Sequence, residues 1–175
     1  MVDESRDRER IRQNRVVGLS IAFAIFAVDQ AAKFVVTYLL QLKVRGEIEL
    51  LPFFTLRWLE NPGVSMGLLP ADSEVGRWLL VALTAAIAAF VTYWMWREKR
   101  RDDVVALSLV LGGALGNILD RVRLGYVVDY ADLHFGDIHP FLVFNVGDAA
   151  ITIGVLLLLV RALLTRERKA PEEEK

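Results

Sequence analysis

Cysteine is absent from the 175 residues. That excludes a disulfide scaffold, a thiol nucleophile and a thiolate metal site. Histidine occurs only twice, as His134 and His139, with no H-E-x-x-H pattern. The pair reads as solvated loop histidines, and no metal or other cofactor is expected. No phosphate loop and no dinucleotide fingerprint is present. There is little charge of either sign in excess, the formal net charge being −1. That removes the electrostatic case for a general nucleic-acid binder. No internal repeat or linker divides the chain.

Apolar residues are what the chain has in plenty. They make up 54% of it, before its 12 glycines are counted, beside an ordinary 25% of charged residues. A soluble domain holds roughly 45–50% apolar residues with glycine included. This chain must therefore segregate the two kinds. Disorder is excluded by the same figures.

The segregation takes the form of four long apolar segments. Residues 78–96 carry no charge and begin and end in tryptophan, Trp78 and Trp96. As a helix they span about 28 Å, close to the ~30 Å hydrocarbon core, with the tryptophans at the interfacial belts. Residues 104–119 are a second uncharged run, and residues 141–160 a third, broken only by Asp148. Residues 16–42 are uncharged except for Asp29 and Lys33. The expected fold is an all-α membrane protein, a bundle of four transmembrane helices over about 16–41, 77–97, 104–121 and 141–164. The first segment reads as retained rather than cleaved. Ala22-Phe23-Ala24 lies inside its apolar stretch, and apolar sequence resumes beyond Lys33.

Lysine and arginine counts set the expected orientation. Residues 1–15 hold five, the loop 97–103 four and the tail from Arg161 five, which is 14 of the 21. The longer loops at about 42–76 and 122–140 are poorer for their length. The positive-inside rule puts both termini in the cytoplasm and both longer loops outside. Residues 1–15 and 165–175 read as charged cytoplasmic tails flanking one membrane-embedded domain, 16–164. In the outer loops Ile48-Glu49-Leu50 and Phe54-Thr55-Leu56-Arg57-Trp58 alternate like strands, and residues 126–135 are rich in β-branched and aromatic residues. A small sheet on the outer membrane face is expected, with short interfacial helix over 64–69 and 71–77.

Ionisable residues inside apolar helices point to function. Asp29 and Lys33 are spaced i,i+4 and share a helical face. Asn117 can reach Asp120 at i+3 and Arg121 at i+4. Asn145 and Asp148 are spaced i,i+3, and Thr152 continues their face. At 1.5 Å per residue Asp29 lies about 20 Å from the cytoplasmic edge, and Asp148 about 10 Å below the outer edge. Asn117 and Asp120 stand at the outer edge, and Asp129 follows in the outer loop. Polar groups from separate helices thus fall at one depth, which suggests one site. Gly112, Gly113 and Gly116 let a neighbouring helix come close enough to share it.

Two carboxylates in a poorly solvated site share a proton. The ionised member can take a proton from water while the other polarises a carbonyl, as in aspartic peptidases. Asp129 and Asp148, each set in apolar sequence, suit that role. Asp29 and Asp120 have basic neighbours, Lys33 and Arg121, and look like fixed anions. Two other readings of these residues stay open, a polar network that only joins helices and a small proton-coupled membrane transporter. Gly63-Val64-Ser65-Met66-Gly67 matches G-x-S-x-G, but that motif needs an α/β sheet for which this chain has no room.

These residues resemble the lipoprotein signal peptidase, or signal peptidase II, family, in five motifs taken in the family's order. Asp29-Gln30-Ala31-Ala32-Lys33 is similar to its D-Q-x-x-K, and Asn61-Pro62-Gly63 to its N-x-G. Residues 112–121 are similar to G-G-A-x-G-N-x-x-D-R, Val127-Val128-Asp129-Tyr130 to V-x-D-[FY] and Phe144-Asn145-Val146-Gly147-Asp148 to F-N-x-A-D. The resemblance implies a membrane aspartic endopeptidase of the bacterial inner membrane with a small extracytoplasmic β-cradle. Such an enzyme removes the signal peptide from diacylglyceryl-modified prolipoproteins, on the amino side of the lipidated cysteine, among membrane lipids, and globomycin-type antibiotics inhibit it. By motif position Asp129 and Asp148 would be catalytic. Asn61, Asn117, Arg121 and Asn145 would line the site, and Asp29, Lys33 and Asp120 would support it. Gly147 departs from the family's usual alanine, and Val64 and Met66 from its smaller and aromatic residues.

Overall fold

The computed structural model describes residues 2–63, 74–136 and 138–167. Val64, Ser65 and Met66, the interfacial helix expected over 64–69, the first three residues of that expected over 71–77 and the end of the C-terminal tail lie outside the described residues, while residues 74–77 are helical as the start of a membrane-spanning helix. Four helices are long and apolar enough to cross a membrane. They are α1 (Val2–Phe34), α3 (Glu74–Arg97), α4 (Arg101–Leu124) and α5 (Val146–Glu167). A short turn, α2 (Leu42–Arg45), leads into a sheet of β1 (Glu47–Leu51), β2 (Phe54–Asn61) and β3 (Val127–Leu133). The expected four-helix bundle with a small sheet is therefore the fold.

Helix α4 is the hub of the bundle. Of its most apolar stretch 56% is buried within the protein, against 22%, 22% and 17% for α1, α3 and α5. The outer three turn their large side chains outward, as at Phe23, Phe90 and Leu163. That is the pattern of helices solvated by lipid. Lipid tails offer no hydrophobic drive for helix association, so close packing at small residues must supply it. A Cβ at Gly112 would strike the Ala22 carbonyl of α1, and one at Gly113 the Gly147 carbonyl of α5. The apolar centre of the bundle gathers Ala22, Val91, Met95, Val104, Leu107 and Leu111.

Helix α1 starts earlier than the apolar pattern suggests, because helix continues through the charged residues. Asn14 Nδ2 donates to the Lys99 carbonyl at 2.9 Å and Arg15 Nε to the Trp96 carbonyl at 3.1 Å. These contacts tie the charged turn to the α3–α4 connection. At its other end α1 passes into one wide π-helical turn, Val35–Leu39, closed by Leu40 N–H on the Val35 carbonyl. Gln41 then takes φ 50 and turns the chain toward the sheet.

The sheet is antiparallel in the order β1-β2-β3. It packs on the end of α1 through Val36, Leu42, Leu56, Val128 and Tyr130. β3 is buried along nearly its whole length. β2 pairs with one edge, and Phe144 pairs with Ala131 at the other. That second pairing corrects the expected start of the last helix. Residues 141–144 do not begin it, because Phe144 is bonded to β3 and α5 starts only at Val146.

The close contact of Gly113 with Gly147 makes a prediction. Gly113→Ala pushes α5 off α4 and should destabilise the fold by about 1–3 kcal/mol, the usual effect of overpacking. Thermal unfolding in detergent measures it, and an unchanged midpoint would contradict this packing.

Candidate active site

A buried cation organises the polar residues. Lys33 Nζ lies 2.8 Å from Asp29 Oδ2, 2.8 Å from Asp120 Oδ2 and 3.1 Å from Asn117 Oδ1. Its three N–H donors thus have three acceptors, on α1 and α4. Asp29 is fully buried and Asp120 nearly so. The i,i+4 pairing of Asp29 with Lys33 is as expected. The partner of Asp120 is not, since the structure pairs it with Lys33 rather than Arg121. Asn117 likewise reaches neither Asp120 nor Arg121 but turns toward Lys33 and α5. Both corrections have one cause. Sequence spacing finds neighbours on the same helix, whereas the stronger partners stand on the helix opposite.

The other oxygen of Asp29 reaches α5. Asp29 Oδ1 accepts the Gly147 N–H at 2.8 Å, one of the donors that a helix start leaves unpaired. Gln30, which spacing alone does not single out, donates to Asp29 Oδ2, the Gly116 carbonyl and Asp120 Oδ1 at 3.1–3.3 Å. Its only sequence signal is its place beside Asp29 in D-Q-x-x-K. Asp120 Oδ2 also accepts the Val128 N–H at 3.2 Å, which ties β3 to α4.

The start of α5 is a reciprocal cap. Asp148 N–H donates to Asn145 Oδ1 at 2.9 Å, and Asn145 N–H donates to Asp148 Oδ2 at 3.2 Å. This is the capping-box arrangement, with Asn and Asp in place of Ser and Glu. The i,i+3 spacing thus has a local meaning as well as a shared face. Asp148 Oδ1 takes a further bond from Asn117 Nδ2 at 2.8 Å. Thr152 is exposed on α5 and takes no part. A Cβ at Gly147 would lie 3.0 Å from Asn145 Oδ1 and from the Gly113 carbonyl. Glycine relieves that crowding, and alanine needs only a slight shift.

Asp129 comes from β3 and is 1% exposed. Asn145 Nδ2 donates to its Oδ1 at 2.7 Å, and Asn61 Nδ2 to its Oδ2 at 2.9 Å. Asn145 Nδ2 also lies 3.2 Å from Asn117 Oδ1. The asparagines therefore join the two aspartates from four elements, β2, β3, α4 and the cap of α5. Burial raises the Asp129 carboxyl to about 6. The Asn61 and Asn145 donors and the Lys33 charge oppose that rise, while the Asp148 charge adds to it. Gly63 takes φ +90, and a Cβ there would strike the Leu80 side chain and crowd the Arg121 guanidinium at 3.0 Å. The N-x-G segment thus delivers Asn61 to Asp129 and clears room for Arg121. All nine residues singled out from sequence lie in this one region.

Chemically the site offers two carboxyls of unequal environment, a set of amide donors and two cations, Lys33 and Arg121. The family model described as signal peptidase (SPase) II matches residues 21–164. A protein of Rhizorhabdus wittichii named "Lipoprotein signal peptidase" is 59% identical over 160 residues, covering 91% of this chain and 93% of that one. Its namesake in Sphingopyxis alaskensis is 54% identical over 158 residues, covering 90% and 91%. A solved bacterial membrane enzyme superposes with a TM-score of 0.76 at 28% identity, covering 91% of this chain and 94% of its own.

Removing Lys33 would strand two buried carboxylates. Lys33→Met should destabilise the protein by about 3–5 kcal/mol, as expected when one partner of a buried ion pair is lost. Thermal unfolding in detergent reads the loss, and Asp29→Asn added to Lys33→Met should restore part of it.

Proposed function

The chain belongs to the signal peptidase II family, and from that premise we propose that Asp129 and Asp148 are the catalytic pair of a membrane aspartic endopeptidase. Its substrate is a diacylglyceryl-modified prolipoprotein, cut on the amino side of the lipidated cysteine. The observation that carries the site assignment is the asparagine bridge. Asn145 donates to Asp129 and caps Asp148, so both carboxyls are held toward one space.

Asp148 stands in the first turn of α5, where the helix dipole favours negative charge. It is half-exposed, so water can reach it. Asp129 is buried and raised, so it holds the shared proton. Asp148 takes a proton from water, and the resulting hydroxide attacks the scissile carbonyl carbon. Asp129 donates to the carbonyl oxygen as negative charge develops there. Collapse of the tetrahedral intermediate breaks the C–N bond, and the proton held by Asp148 passes to the leaving amine. The products are a signal peptide with a new carboxylate and a lipoprotein with a free α-amino group. Asn61, Asn117 and Asn145 orient the pair, and Arg121 balances its charge. Asp29, Lys33 and Asp120 hold the three helices in place.

The enzyme is a multi-pass protein of the bacterial inner membrane. The lysine and arginine counts support cytoplasmic termini, and by depth the dyad sits near the extracytoplasmic face. The substrate's acyl chains remain in the bilayer and deliver the cleavage site from the side. Globomycin-type inhibitors occupy the same space. Residues 16–164 act as one peptidase domain, and the charged ends lie outside the chemistry.

Two outcomes test this reading. Asp129→Asn and Asp148→Asn should insert normally yet leave a lipidated prolipoprotein uncut by mass measurement, while the wild type turns over even in EDTA. Normal cleavage by either variant would sink the assignment. The acid form of Asp129 is lost as pH rises through about 6, so kcat/KM should fall on the alkaline side. Asn61→Ala removes a donor that favours the ionised form, so that limb should move to higher pH. A shift to lower pH would mean that Asp129 is not the proton holder.

A further inference from the structure

A second cluster of donor atoms lies at the end of β3, apart from the dyad. Asp132 is three residues beyond Asp129, so it points to the opposite face of the strand. The chain then makes a tight reversal. Phe135 N–H donates to the Ile138 carbonyl at 2.8 Å and Ile138 N–H to the Phe135 carbonyl at 3.2 Å, around Gly136 at φ +60. That pairing sets His134 and His139 directly opposite each other, one step further from the turn. Their rings stack with centroids 5.4 Å apart. Asp132 precedes His134 by two residues and so shares its face. The histidines are loop residues, as expected from sequence, and His139 is exposed, but the turn brings the two rings together.

The three side chains present ligand atoms within 4.8 Å of one another. His139 Nδ1 already lies 3.0 Å from Asp132 Oδ1. Two ligands of a tetrahedral zinc ion, bound at about 2.0–2.1 Å, stand roughly 3.3 Å apart. Asp132 is 1% exposed, yet its Oδ2 has no hydrogen-bond partner among the described residues. Neither has the buried His134 Nδ1. Each such orphaned atom is costly unless something binds it. Arg57 Nη1 lies 3.4 Å from Asp132 Oδ2, too poorly aligned to satisfy it. Arg57 is half-exposed and equally near Glu47 Oε2 at 3.4 Å, so it can yield its place to a cation. The His139 side chain is 42% exposed, which gives an ion a path in.

We propose that Asp132, His134 and His139 form a binding site for a zinc-class divalent cation. Two imidazoles and one carboxylate favour such an ion over magnesium or calcium, which take oxygen ligands. Three protein ligands leave one position for water. The bound ion ties His134 and His139 to β3, beside the exposed side chains of Phe135 and Ile138. The site plays no part in the cleavage chemistry and does not depend on it.

The test uses the full-length protein in detergent, without a polyhistidine tag, stripped by chelator and dialysed against zinc chloride. Elemental analysis should find one zinc per chain, retained in excess magnesium. His134→Gln and His139→Gln should each weaken retention at least about tenfold, with prolipoprotein cleavage unchanged. Asp129→Asn should bind zinc as the wild type does, which separates this site from the dyad. Absence of stoichiometric zinc in the wild type, retention by either histidine variant equal to that of the wild type, or displacement by magnesium would each overturn the proposal.

Discussion

The buried ammonium of Lys33 is the constraint on which the rest of the structure hangs. A charge placed within an apolar helix bundle must find partners inside the protein. Lys33 finds Asp29 on its own helix and Asp120 and Asn117 on α4. Those partners bring further elements with them. Asp29 holds the first turn of α5 through Gly147, and Asp120 holds β3 through Val128. One cation therefore sets the relative level of α1, α4, α5 and the sheet. The small residues of α4 make this possible, since Gly116 leaves space that the Asp29 carboxylate fills.

The proposed catalytic residues rest on that frame without belonging to it. Asp148 is at once the capping residue of α5 and a carboxyl facing Asp129. Capping solves a local problem, the unpaired donors of a helix start, and leaves Asp148 Oδ1 to meet Asn117. Asn145 ties the two requirements together, because its backbone and side-chain oxygen close the cap while its amide nitrogen holds Asp129. A motif as short as F-N-x-x-D thus carries a helix start, an inter-element bond and a proposed catalytic carboxyl. Changing any of them disturbs the other two.

Much of this was legible in the residues, for identifiable reasons. Apolar run length gave the four spans because a bilayer admits few other structures. Depth arithmetic placed Asp29, Asn117 and Asp148 at one level because helix rise is constant. Alternation in residues 54–58 and the β-branched run ahead of Phe135 announced the strands. Partner choice was hidden. Asp120 next to Arg121 reads as a pair, yet helix geometry points successive side chains about 100° apart, and Lys33 stands across the interface. The start of α5 was hidden too, since hydropathy cannot tell an apolar helix turn from Phe144 laid along β3. The approach of His134 to His139 depended on a tight turn whose register no composition measure reports.

The charge balance of the site explains why a proton must be shared there at all. Among the described residues, Asp29, Asp120, Asp129 and Asp148 have two cations close to them, Lys33 and Arg121. Asp29 and Asp120 consume the Lys33 charge in direct contacts of 2.8 Å. What remains for the proposed dyad is Arg121 and the more distant charge of Lys33, against two carboxyls in a poorly solvated region. With all four carboxyls ionised, negative charge would exceed positive by two, and keeping one proton on the proposed dyad lowers the cost of that excess in a poor dielectric. The anion pair locked around Lys33 therefore does more than hold helices together. By holding the nearest positive charge in direct contacts it leaves the proposed dyad short of cations, and under the proposed mechanism that shortage provides both an acid and a base.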